Sequence, residues 1–106
     1  MSKSKNDYGY GREKLFLAVN SLATGTGSIQ ERLQNVAIGW LGLPSSFPDL
    51  LPADLMPELK AILDELTKVQ GEEGAIRATA RAISDEEGAE LAGRVLSLYI
   101  NLHGGI

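Results

Sequence analysis

Five groups of residues in this chain have the types and spacing that chemistry or recognition could use. The first lies in Ala23-Thr24-Gly25-Thr26-Gly27-Ser28-Ile29-Gln30-Glu31-Arg32-Leu33. Two glycines one residue apart, ahead of a helical stretch, can form a loop whose backbone N–H groups cradle phosphate. A dinucleotide fingerprint also needs a preceding strand and a third glycine. Here Leu15 to Ala23 has helical spacing, and Gln30 fills the third-glycine position. A P-loop needs Gly-Lys-Ser/Thr, and no lysine lies between Lys14 and Lys60. The run therefore reads as punctuation between two helices. Gly25 in a left-handed conformation ends the first, and Ser28 caps the second. Glu31 completes a Ser-x-x-Glu capping box.

The second group is Asp85, Glu86, Glu87 and Glu90, whose carboxylates could hold a hard divalent cation. Neighbouring acids in one helical turn point in different directions. Ser84 with Glu87 makes another capping box, and acids at a helix start complement the dipole. Capping is the better reading. His103, the only histidine, sits at the end of a helical stripe, where the dipole favours a cation. With no cysteine and one histidine, the usual zinc ligand sets are missing, and no cofactor is implied.

Two arginine-bearing groups suit recognition better than catalysis. Arg77 and Arg81 form an i,i+4 basic pair that Arg94 could join, since guanidinium binds carboxylate and phosphate through two parallel hydrogen bonds. Glu72, Glu73, Glu86 and Glu90 are close enough in sequence to neutralise them. Tyr8, Tyr10 and Arg12, in "DYGYGREK", form a candidate contact patch of residue types enriched at interface hot spots. Packing of the two tyrosines onto their own domain is the competing reading.

Helices must position all of these groups. Residues 1–9 read as a flexible tail. Leu15, Ala18, Val19, Leu22 and Ala23 place a first helix over roughly 10–24. Ile29, Leu33, Val36, Ala37, Trp40 and Leu41 form one stripe of a second helix, ended by Gly42. Gly39 interrupts that pattern, and a close helix crossing would explain it. The run "LPSSFPDLLPADLMP" holds all four prolines and reads as an ordered connection. It should lay Phe47 and Leu50 or Leu51 on the core, with a turn near Pro52. A third helix carries Leu55, Leu59, Ile62, Leu63, Leu66 and Val69, with Pro57 in its first turn and an Asp64–Lys68 pair. A fourth segment runs from Glu73 to Ile83, with Ile76, Ala80 and Ile83 on one face. The fifth has a core stripe of Leu91, Val95, Leu98 and Leu102. A second stripe of Ala92, Leu96, Tyr99 and Ile100 marks it as the central helix. The fold class is all-α: a single-domain bundle of four to five helices over 10–104, with a proline-rich ordered connection.

The 106 residues are 43% apolar, enough for one compact core. A net charge of −4 argues against non-specific nucleic-acid binding. Leu15 to Val19, the longest apolar run, is too short to span a bilayer, and no signal-peptide core follows the basic start. A cytoplasmic setting is the default. The succession "REKLFLAVNSLATGTGSIQERL", the proline-broken link and "ISDEEGAELAGRVLSLY" resembles small helical proteins of bacterial genomes. The shared features are caps and core stripes, so the resemblance transfers no active residue.

The expected function is a non-enzymatic protein–protein interaction or regulatory module, with a protein partner or a second copy of itself in a homodimer. The alternative is a nucleic-acid-binding regulator using Lys3, Lys5, Arg12, Lys14 and Arg32. The third is a bundle that binds a small ligand between its helices.

Overall fold

The computed structural model describes residues 8–104, which contain helices, turns and loops but no strand. The order is α1 (Gly9–Thr24), α2 (Ile29–Trp40), a single turn α3 (Leu43–Ser46), α4 (Met56–Leu66), α5 (Ala75–Ala82) and α6 (Asp85–Leu102). The all-α expectation holds, with five longer helices packed into one globule. Residues 1–7 of the expected tail lie outside the described residues. The remainder is not tail: α1 starts at Gly9, and Tyr8 is half-buried against the core.

The apolar stripes become the core. Leu15 and Ala18 of α1 share one cluster with Leu33, Val36, Ala37 and Trp40 of α2, Leu59, Ile62 and Leu66 of α4, and Leu91, Val95, Leu98 and Leu102 of α6. Each fully buried Leu or Ile among them contributes on the order of 2 kcal/mol. The centre is shared. α2 packs against α1, α4, α5 and α6, while α6 packs against α1, α2 and α4. The second stripe of α6 is not covered as expected: Ala92, Tyr99 and Ile100 are half-buried and Leu96 is exposed.

The connection after α2 is ordered. Leu41 leaves helical geometry and Gly42 turns the chain at φ +80°, a left-handed conformation that glycine adopts without strain. Leu41 therefore falls off the expected stripe. Leu50 and Leu51 both reach the core, and the Pro52 carbonyl accepts from the Leu55 and Met56 amides, making the expected turn. Phe47 does not reach the core: it stays 44% exposed and packs at a tilt against Tyr10, with ring centroids 5.1 Å apart.

Two glycines inside helices differ in their reasons. Gly11 is buried where α1 crosses the connection, and a Cβ there would strike the Leu50 carbonyl oxygen. Gly39, for which a close crossing was expected, faces open space.

The other bounds shift at helix ends. α4 stops at Leu66, where the Thr67 hydroxyl donates to the Leu63 carbonyl at 2.9 Å. Val69, expected inside the helix, instead donates its amide to Thr79 Oγ1 at 2.9 Å. Thr79, a polar residue on α5, is only 1% exposed. The buried residues of α5 are Ala78 and Thr79, while Ile76 and Ala80 are half-buried. Ile83 is buried in extended backbone just beyond the helix end.

Candidate functional site

The glycine run forms a structural turn. Ser28 Oγ accepts from the Glu31 amide at 3.1 Å. Gly25 is not left-handed, at φ −63°; the positive φ of +102° belongs to Gly27. Gly25 is needed for proximity instead, since a Cβ there would come within 2.9 Å of Arg32 Cγ. Arg32 Nη1 donates to the Leu22 carbonyl at 2.7 Å, and its Nε to the Ser28 carbonyl at 3.3 Å. That guanidinium fastens the end of α1 to the start of α2 and complements the negative end of α1.

The acidic run is also engaged in building the fold. Ser84 and Glu87 form the reciprocal capping box, with both bonds at 3.1 Å. Asp85 Oδ1 accepts from Gln30 Nε2 at 2.8 Å, joining α6 to α2. The Ser84 amide, then Lys68, then the Ser84 hydroxyl hold the Glu87 carboxyl below its usual range. Lys68 pairs with Glu65 and Glu87, both at 3.4 Å, and not with Asp64 as expected. Among the described residues, no group of three His, Cys, Asp or Glu is placed to hold a metal ion. His103 closes α6, its Nδ1 3.0 Å from the Tyr99 carbonyl and its ring against Tyr99.

The three arginines expected to gather are dispersed. Arg94 turns to α4 and grips Glu58 through two bonds, Nε to Oε2 at 3.1 Å and Nη2 to Oε1 at 2.8 Å. Those bonds hold the Glu58 carboxyl below its usual range despite an opposing effect of burial. Arg81 reaches Glu73 at 3.4 Å and borders a recess with Gln30, Glu31 and Gln34. Arg77 borders a different recess, a groove of about 600 Å³ formed by the end of α2, the α4–α5 link and the first turn of α5. It has no ion-pair partner among the described residues.

That groove is larger than the recesses beside Arg81 and Tyr8. Ile38 and Leu41, 52% and 64% exposed, stand on one wall, with Ile76 and Ala75 on the other. Gln70, Glu73 and Arg77 supply its polar edge. Neither Ile38 nor Leu41 was an expected site residue. The sequence pattern places Leu41 on the core stripe. Ile38 was legible in principle, as an isoleucine on the polar side of α2.

The tyrosine patch is divided by depth. Tyr8 packs inward, Arg12 is half-buried and Tyr10 is exposed. Lys14 Nζ lies 5.4 Å from the Tyr10 ring centroid, so a cation, Tyr10 and Phe47 share one surface. Tyr8, Tyr10 and Phe47 border a recess of about 350 Å³.

Of the basic residues expected to meet nucleic acid, Lys3 and Lys5 lie outside the described residues, and Arg32 is committed to carbonyl oxygens. Among the described residues, no helix is long and apolar enough to cross a membrane. No known protein family matches the chain, and neither does any curated protein or solved structure.

Proposed function

We propose that this chain is a non-enzymatic interaction module of the cytoplasm that docks a short segment of a protein partner in the groove beside Arg77. One observation carries the proposal. Two large aliphatic side chains, Ile38 and Leu41, stand mostly in water on one wall of a groove whose edge bears a guanidinium without an ion-pair partner among the described residues. Exposed apolar surface rimmed by polar groups is characteristic of docking sites. An apolar segment with an acidic residue beside it satisfies both halves of the groove: aliphatic contact at Ile38, Leu41 and Ile76, and a two-bond pairing with Arg77.

The test is a photo-crosslinking amino acid at Leu41, compared with one at the exposed Lys60 of α4. The proposal expects discrete protein adducts from Leu41 alone, formed in the native cell. Equal adducts from both positions, or none from Leu41, would contradict it.

A further inference from the structure

The outer face of α6 has a pattern that the core does not explain. Ala89, Gly93, Leu96 and Ile100 recur at spacings of 4, 3 and 4, which places them on one side of the helix. Ala89, Gly93 and Leu96 are exposed and Ile100 is half-buried. A Cβ added to Gly93 would meet nothing within 4 Å, so the helix backbone is open to close approach there. Tyr99 and Phe16 extend the face onto α1, with ring centroids 6.4 Å apart and Phe16 53% exposed. The four positions carry no charge, and the nearby Arg94 is turned away to Glu58.

We infer that this face binds a second copy of the chain, with the two α6 helices antiparallel about a twofold axis between Arg94 and Val95. The order of small and large residues is self-complementary about that axis. Ala89 falls opposite Ile100 of the partner subunit, and Gly93 opposite Leu96 of the partner subunit. An isologous interface requires such reciprocal pairing. The ends agree as well. Glu86, in the first turn of α6, falls opposite His103 of the partner subunit at the end of its helix, so an acidic and an imidazole group and opposite dipole ends meet. The chain carries −4 overall, and this register sets no carboxylate of α6 opposite a carboxylate of the partner subunit. This proposal extends the interaction reading to another face. It does not depend on the Arg77 groove, whose adducts at Leu41 would form with or without it.

The test uses the full chain in two arms. In sedimentation equilibrium over a concentration series, the wild type should reach twice the 11.3 kDa chain mass. Leu96→Glu, at an exposed position, should stay at the single-chain mass with unchanged helical circular dichroism. In the second arm the absence of native cysteine lets single substitutions report register. Across the axis, Leu96→Cys would bring its two sulfurs to positions about 4.5 Å apart along the helices, at 1.5 Å rise per residue. The Ala89→Cys pair would lie about 16 Å apart along the helices by the same rise. Oxidation should therefore cross-link Leu96→Cys at least tenfold faster than Ala89→Cys. A wild type that stays at the single-chain mass overturns the proposal, even if another protein occupies the face. So does a dimer that survives Leu96→Glu, or equal cross-linking of the two variants.

Discussion

Gly11 and Leu50 meet backbone to backbone: a Cβ on Gly11 would run into the Leu50 carbonyl oxygen and come within 2.9 Å of Leu51 Cδ2. This contact seats the proline-rich connection on α1. Gly11→Ala gains about 1 kcal/mol of helix propensity but must push α1 off the connection. Overpacking of this kind typically costs roughly 1–3 kcal/mol, and here the obstacle includes backbone that cannot rotate aside. Gly11→Ala should therefore be a net destabiliser in urea unfolding.

Gly39→Ala should do the reverse. Gly39 is exposed on α2 with nothing within 4 Å of a new Cβ, so only the propensity gain of roughly 0.5–1 kcal/mol remains. The same urea series measures both variants, and their opposite signs separate crowding from helix propensity.

Thr79 and Val69 give a third expectation. The buried Thr79 hydroxyl oxygen accepts the Val69 amide at 2.9 Å, stopping the α4–α5 link against α5. Thr79→Val keeps the shape but leaves that amide without its acceptor, at about 1–3 kcal/mol. Thr79→Ser should recover much of the loss. Hydrogen exchange at the Val69 amide provides a local readout beside the global stability.

The Glu58–Arg94 pair predicts an acid response. Glu58 is held below its usual value of 4.5 in the fold and returns to it on unfolding. Its contribution is therefore complete above that value and is lost as pH falls through the lowered one. With Glu58 40% open to water, the contribution should be about 1 kcal/mol or less. Glu58→Gln should be less stable than wild type at neutral pH. The two unfolding curves should converge in acid, as followed by urea midpoints across pH.

The parts of this fold legible in the sequence were the local ones. The α2 stripe through Leu33, Val36, Ala37 and Trp40 and the Ser84–Glu87 box depend on residues within a turn or two of each other. The missed features depend on chain folded back from a distance. Arg94 finds Glu58 across 36 positions, and nothing local favours it over Glu90. Phe47 has the composition of a core residue, yet the turn after α3 delivers it to Tyr10 at the surface. Gly11 falls within the helix expected over 10–24, but its close contact is not legible there, because its neighbour across the fold is a carbonyl oxygen, which no residue pattern encodes. The candidate site was half legible. Arg77 is recognisable from its type, whereas Leu41 is a site residue only because the helix ends one residue before it.

The most direct test of the interaction reading is the yield of the Leu41 photo-adduct in the native cell, with Arg77 intact or changed to Glu. If the groove seats an acidic, apolar segment, Arg77→Glu should lower the yield about tenfold, the equivalent of about 1.4 kcal/mol of affinity. The fold should be unchanged, because Arg77 is exposed and has no ion-pair partner among the described residues. An undiminished Leu41 adduct in Arg77→Glu would contradict the account.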